Sequence, residues 1–548
     1  MKAYKKIVAT LLSACMLVSM AACGGEEKPT DTQAANTQAS GETAAQPTAG
    51  EQPGGSDSQA KKDNWLTAIS TRDNGSLDMY TAAINRWGKA QVGPFLQTLW
   101  QYDANLKLEG VLAESFEYDD DLMGITVHLR DGVTWHNGDK FTSADVVYTM
   151  SKLAAGPAGP NYNYIDYENV EAVDELTVHF GLTRKMGVFE HRSSDLFMYC
   201  KSFEEGTNTK DADGNELVAC GTGPFIVTEY EKDDHVSYRR NDNYWGEKAK
   251  LDGMTMRFIG EASTAFMEVQ TGNAQISNNT AASDLSDVQA GNYENIIASD
   301  DAKMAHNAIG MNQHNPYFTD VRVRQAVNYA INRKEIFDVA YEGVGSQAWS
   351  CISVDVFGFN EEYLNNYPYE YDLEKAKSLM QEAGYADGFT CSFAIENNTL
   401  QKTTAELVQA YLAEIGITVT IDMYESAALN ELIPTENWGL AFATYNQNGD
   451  PSSALTFGTS IRNVGGSNKY NNDKDPIAVQ YTELLESSEC LGTEEERLAV
   501  YKQMQELYFS TIWEVPIADQ SVYMVQSTDI EGYWGAGVQP HFENISFK

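Results

Sequence analysis

The chain has 548 residues, too many for one ordinary core, and its 42% hydrophobic content is enough to bury two or three lobes. A formal net charge of −41 argues against a nucleic-acid partner, because neutralising phosphates needs a basic surface.

In chain order, Lys2, Lys5 and Lys6 precede an apolar run from Ile7 to Met20. That run is the length of a signal-peptide core and too short to span a bilayer. It ends in Met20-Ala21-Ala22-Cys23-Gly24, where small residues before a cysteine resemble a bacterial lipobox. By that resemblance, 1–22 is a lipoprotein signal peptide and Cys23 is the lipid attachment site. Residues 23–63 are rich in Gly, Ala, Thr, Gln, Ser and Glu, a composition that cannot build a core and reads as a disordered tether. No other segment reads as transmembrane, so the lipid would be the only anchor. Cys15 would leave with the signal and Cys23 carry lipid, so five cysteines remain, an odd number. Cys200 and Cys220 are close enough in sequence to bridge a loop, and whether they pair is left open.

Folded-state signals begin at Trp65, with Trp65 to Ser70 as a buried strand. The segment from Val111 to Leu129 reads as paired strands, since Ile125 to Leu129 alternates with period two. Arg130-Asp131-Gly132 is a turn. Thr142 starts a helix with Asp145 at capping-box spacing, and Val146, Met150 and Leu153 form its apolar stripe. Asp320 and Asp372 are N-caps of two further helices, the second stopped by Gly384. A helix from Thr404 to Ile415 leads through Gly416 into the alternating strand from Ile417 to Ile421. Thr493 and Glu496 form a capping box for another helix. The mixture is α/β without a solenoid repeat.

Several motifs then resemble family 5 of the solute-binding proteins of ABC transporters, the dipeptide, oligopeptide and nickel group. They are Leu129 to Val133, His136-Asn137-Gly138, Ala144 to Val147, Gly221-Thr222-Gly223-Pro224-Phe225, and Arg240-Asn241 with Tyr244-Trp245-Gly246. Val323 to Ala326, Tyr329 to Arg333, and His541 to Ile545 follow in the same order. The resemblance implies an α/β, two-lobed periplasmic-binding-protein-like fold with an additional domain and a hinge-closing cleft. It maps lobe I to 64–90, 218–305 and 515–548, the additional domain to 91–217, and lobe II to 306–514. The lobes would be joined by crossings near 305–312 and 512–518. Gly221 and Gly223 would shape a crossing between lobes. No Lys-Ser/Thr follows them, so they are not read as a phosphate loop.

In the dipeptide branch, the resemblance places an aspartate for the ligand amine in a Gly-Asp-Asn-Gly-Asp-Pro loop. The matching loop here is Asn446-Gln447-Asn448-Gly449-Asp450-Pro451, with Gln447 at the aspartate position. The arginine that holds the ligand carboxylate has no counterpart in 393–399, where Glu396 is the only charged residue. A neutral amide cannot replace a carboxylate facing an ammonium, so free dipeptides are expected to bind poorly. The candidate ligand-binding residues are Asn74, Ser76, Trp349, Glu396, Asn397, Trp438, Tyr445, Asn446, Gln447 and Asn448. Amides and aromatics suit peptide backbones and also sugar rings.

The leading expectation is a binding protein that hands peptides or similar small solutes to ABC permease subunits at the extracytoplasmic face of the membrane. An oligosaccharide-binding member of the family is the alternative. A metal-chelate binder, a surface adhesin and a secreted hydrolase stand behind these. No Gly-x-Ser-x-Gly elbow, His-Glu-x-x-His pair or zinc-like Cys/His spacing occurs. No catalytic residue, metal ligand or cofactor is assigned.

Overall fold

A computed structural model describes residues 64–548, apart from 81–85, 300–301, 436, 448, 453, 456–474, 492, 522–523 and 537–538. The expected signal peptide, the tether, Cys23 and Asn448 therefore lie outside the described residues.

Trp65–Ser70 forms a strand where its sequence predicts one and becomes the centre of a seven-stranded sheet. It pairs in parallel with Gly253–Phe258 on one side and Ile276–Ser277 on the other. His235–Arg240 and Phe225–Glu231 extend the sheet beyond the first neighbour. Val525–Ser527, from near the chain's end, is inserted between Ile276–Ser277 and Ile296–Ala298. This sheet is the heart of the first lobe.

The second lobe carries a six-stranded sheet, in the order Ser346–Gln347, Glu514–Gln520, Ala305–Met311, Leu440–Asn446, Phe389–Glu396, Ile417–Tyr424. Every residue of Ala305–Met311 is buried, as expected for an inner strand covered on both faces. The capping signals hold here. Asp320 accepts from the Arg322 amide, Asp372 from that of Lys375, and Thr493 from that of Glu496. The helix read from Thr404 begins earlier, at Thr399, because Asn398 caps it by accepting from the Gln401 amide.

Because Glu514–Gln520 pairs antiparallel with Ala305–Met311, it belongs to the second sheet. The return to the first lobe thus lies between Gln520 and Val525, not at 512–518, and the outward passage lies between Ala298 and Ala305. These two passages leave and enter the second sheet on adjacent strands.

A third module is built on the four-stranded antiparallel sheet of Ala113–Tyr118, Gly124–Leu129, Thr177–Leu182 and Ile165–Asp174. Helix Ser143–Ala155 packs on it through Val146, Met150 and Leu153, and Asp145 accepts from the Thr142 amide and hydroxyl. Each such apolar side chain contributes about 1.5–3 kcal/mol on burial. Gly221-Thr222-Gly223-Pro224 joins this module to the first sheet; it does not cross between lobes, as the sequence suggested. A Cβ at Gly221 would stand 1.8 Å from the Phe95 carbonyl oxygen, so only glycine fits. The motif residues His136 and Asn241 both bond the Gly223 carbonyl, at 3.0 and 3.1 Å. They serve the architecture.

The module also grips the second lobe. Arg192 donates to the buried Glu489 carboxylate at 2.7 Å, and Arg184 reaches its other oxygen at 2.5 Å. Tyr102 lies so close to Gly449 that an added Cβ would meet its ring at 2.3 Å. Cys200, Cys220, Cys351, Cys391 and Cys490 are all free thiols, with Cys200 and Cys220 side by side. No helix among the described residues is long and apolar enough to cross a membrane.

Candidate functional site

Between the two sheets lies a cleft of about 1040 Å³. Its position follows from strand polarity. Trp65–Ser70 and Ile276–Ser277 run parallel and deliver Thr71, Arg72 and Asn278 at their carboxyl ends. Across the cleft, Phe389–Glu396 and Leu440–Asn446 are parallel neighbours and deliver Glu396 and Asn446 in the same way. Asn307, Tyr341, Glu342, Asn398, Thr444, Gln520 and Ser521 complete much of the second-lobe wall and the floor.

The polar groups are arranged by short internal bonds. Asn278 Oδ1 accepts from the Thr71 amide at 3.1 Å. Thr444 donates to Asn307 at 2.7 Å, and Asn307 donates to Gln520 at 2.9 Å. Ser426 donates to Glu396 at 2.6 Å, while the Glu396 amide donates to Gln401 Oε1 at 2.7 Å. The hydroxyls of Thr280, Tyr341 and Ser521 are enclosed and have no hydrogen-bond partner among the described residues. The surface is mostly neutral and polar, suited to ligand groups that need both donors and acceptors.

Of the residues singled out from the sequence, Glu396 and Asn446 line this cleft. Asn448 lies outside the described residues, and the others are placed elsewhere. The Asn74 backbone amide donates to Gln91 Oε1 and its side chain rests against Met79, and Ser76 accepts from the Asp78 amide. Trp349 packs beside Arg333, whose guanidinium lies 5.3 Å from its ring. Asn397 is exposed, with its amide bonded to the Tyr424 carbonyl. Trp438 is a core residue whose indole donates to the Ile433 carbonyl at 3.0 Å. Tyr445 is buried on the opposite face of its strand, where its hydroxyl donates to Glu514.

Gln447 is the most instructive departure. It is fully buried, donates to the Cys351 carbonyl at 3.0 Å and accepts from the Ser353 amide at 3.2 Å. It ties the end of one strand to the loop at 351–353 and is not among the cleft-lining residues. Gln447→Leu is expected to cost about 1–3 kcal/mol, because it leaves two buried backbone groups unpaired. Chemical denaturation reads this directly. Asp450, three residues on, is buried and held by Arg497 and Tyr501, both at 3.1 Å.

Beneath the cleft, His306 sits fully buried between Asp519 and Glu514, at 2.9 and 3.2 Å. Two acids five residues apart on a regular strand would face opposite ways. A bulge opposite Asn307 and Ala308 inserts one residue and turns both toward the imidazole. Burial alone would depress His306, but the two carboxylates override it and push it up to about 9. Burial raises Glu514 and Asp519 above their ordinary range, and His306 pulls both part of the way back. The Tyr445 ring stacks on the imidazole at 5.1 Å.

Comparison with known proteins agrees with this architecture. The family model for bacterial extracellular solute-binding proteins, family 5, matches residues 107–468. The chain is 28% identical over 460 residues to heme-binding protein A of Haemophilus influenzae, covering 78% of this chain and 81% of that one. It is 27% identical over 475 residues to the dipeptide-binding protein of Escherichia coli, covering 80% and 86%. Among solved structures, the ABC transporter-associated periplasmic binding protein DppA of Helicobacter pylori, in complex with the peptide STSA, superposes with a TM-score of 0.74. The two share 26% identity, over 88% of this chain and 98% of that one. With a matching family model over most of the chain and a cleft between two lobes in the described residues, the chain belongs to family 5 of the bacterial extracellular solute-binding proteins.

Proposed function

We propose that the chain is the substrate-binding component of an ABC importer. It captures a peptide between its lobes and delivers it to the permease while held at the membrane by lipid on Cys23. The observation that carries this reading is the cleft itself. It lies between two sheets joined by two passages, and its walls carry amides and hydroxyls from both sides. Such groups match the alternating donors and acceptors of a peptide backbone. The relatives named for dipeptide binding and the complex with STSA support the same choice. Sugar recognition would call for aromatic stacking faces, and both candidate tryptophans, Trp349 and Trp438, lie outside the cleft lining.

The test is calorimetric titration of the purified chain with peptides of two to five residues and with oligosaccharides. Peptide binding with recovery of the unaltered peptide is expected. Binding of oligosaccharides and of no peptide would overturn the reading. Closure about the two passages should also make the protein more compact with its ligand in small-angle scattering.

The anchor has its own expected outcome. Cys23→Ala should move the protein from the membrane fraction to the medium or block its processing, since the thiol that receives lipid is gone. An unchanged membrane fraction on Western blotting would count against lipidation.

A further inference from the structure

The charges of the cleft are unevenly divided. The first-lobe wall contributes Arg72. The second-lobe wall contributes Glu342 and Glu396, and no Lys, Arg or His lines it among the described residues. We propose that Glu396 selects a cationic group of the ligand, an ammonium or guanidinium presented to the second lobe. This rests on the reading of the cleft as the ligand site.

Two observations carry it. First, the carboxylate is held in place. Its strand is paired in parallel on both sides, with Glu396 opposite Tyr424. Its amide is fixed by Gln401 and one oxygen by Ser426. Second, its acceptor capacity is only partly used. A carboxylate offers about four lone-pair sites. Here it receives Ser426 at 2.6 Å and a long contact from Asn398 at 3.5 Å, and it forms no ion pair among the described residues. A cation entering the cleft would find a fixed, half-buried anion.

The amides and hydroxyls that line the same cleft, Asn307 and Thr444 among them, supply neutral contacts to a polar ligand, while Glu396 supplies a charge-dependent contact that an uncharged ligand cannot use.

The cation has two sources in a peptide, the amino terminus or a basic side chain. Calorimetry on the full chain with tri-alanine, N-acetyl-tri-alanine and N-acetyl-Ala-Ala-Lys separates them. At least one of the two cationic peptides should bind about ten- to hundredfold more tightly than N-acetyl-tri-alanine, the range for a hydrogen bond to a charged group. Tri-alanine alone would identify the terminus, and the lysine peptide alone the side chain. In Glu396→Gln, which keeps an acceptor for Ser426, the preference should collapse to near unity. A preference that survives Glu396→Gln, or peptides that bind without any preference, would overturn the inference and leave peptide capture standing. Failure of all three peptides to bind would overturn both.

Discussion

His306→Gln should lower the unfolding free energy at neutral pH by about 3–5 kcal/mol, read as a lower urea midpoint with an unchanged slope. The reason is the charge left behind. Glu514 and Asp519 are fully enclosed, and the imidazolium is their shared counter-ion. Removing it isolates two carboxylates in a medium that cannot solvate them. The pH profile separates this from lost packing. In the native chain, His306 holds its proton up to about 9 rather than the ordinary 6.5. The folded state therefore binds more protons than the unfolded chain across that window. The histidine's contribution is fully present below 6.5 and is lost as pH rises through about 9. The variant should lack this alkaline decline. Glu514 and Asp519 have raised values, so their protonated forms favour the fold on the acid side, and the variant's deficit should shrink as they take up protons. A deficit of the same size at every pH would show that shape, not charge, is what histidine provides.

Arg192→Met should cost about 3 kcal/mol, the lower end of the range for breaking a buried pair, because Arg184 still contacts Glu489. Methionine preserves the apolar length and removes only the guanidinium. In the native chain that guanidinium bonds Glu489 and the Ser452 carbonyl and lies 5.2 Å from the Tyr164 ring. Adding Glu489→Gln to the variant removes the stranded charge and should recover part of the loss. A double-mutant cycle by denaturant unfolding measures the coupling. Strict additivity would mean that the pair contributes nothing to the seam between the module and the second lobe.

Local signals in the sequence reached the structure where short-range chemistry decides it. The alternation from Ile125 to Leu129 and the side chains of Asp320, Asp372 and Thr493 each act within one strand or one helical turn. Asn398 shows the limit. The same Asx chemistry serves a loop turn or an N-cap, and only the following helix decides between them. The site is less legible because residues adjacent in sequence need not share a face. Tyr445, Asn446 and Gln447 are consecutive, but a strand sends neighbours to opposite faces. Thr444 and Asn446 therefore reach the cleft, while Tyr445 and Gln447 enter the interior. Nothing in the sequence groups Asn278, Asn307, Tyr341 and Ser521 together. They come from four distant segments, and one of them follows a strand of only two residues. Asn307 carried a usable signal, an amide in the otherwise largely apolar stretch from Ala305 to Met311.

The interleaving of Val525–Ser527 between strands from the middle of the chain has a consequence for how the molecule is made. The six strands of the second lobe come from one continuous stretch, Ala305 to Gln520, so their pairing needs no segment from outside it. The first sheet cannot finish in that way. It joins Trp65–Ser70 to Val525–Ser527 through Ile276–Ser277, segments far apart along the chain, and closing so long a loop is slow. The second lobe should therefore acquire protection from hydrogen exchange first during refolding, and the first sheet should close around the C-terminal strand as a late event. A chain shortened just before Val525 loses an internal strand rather than a dispensable tail.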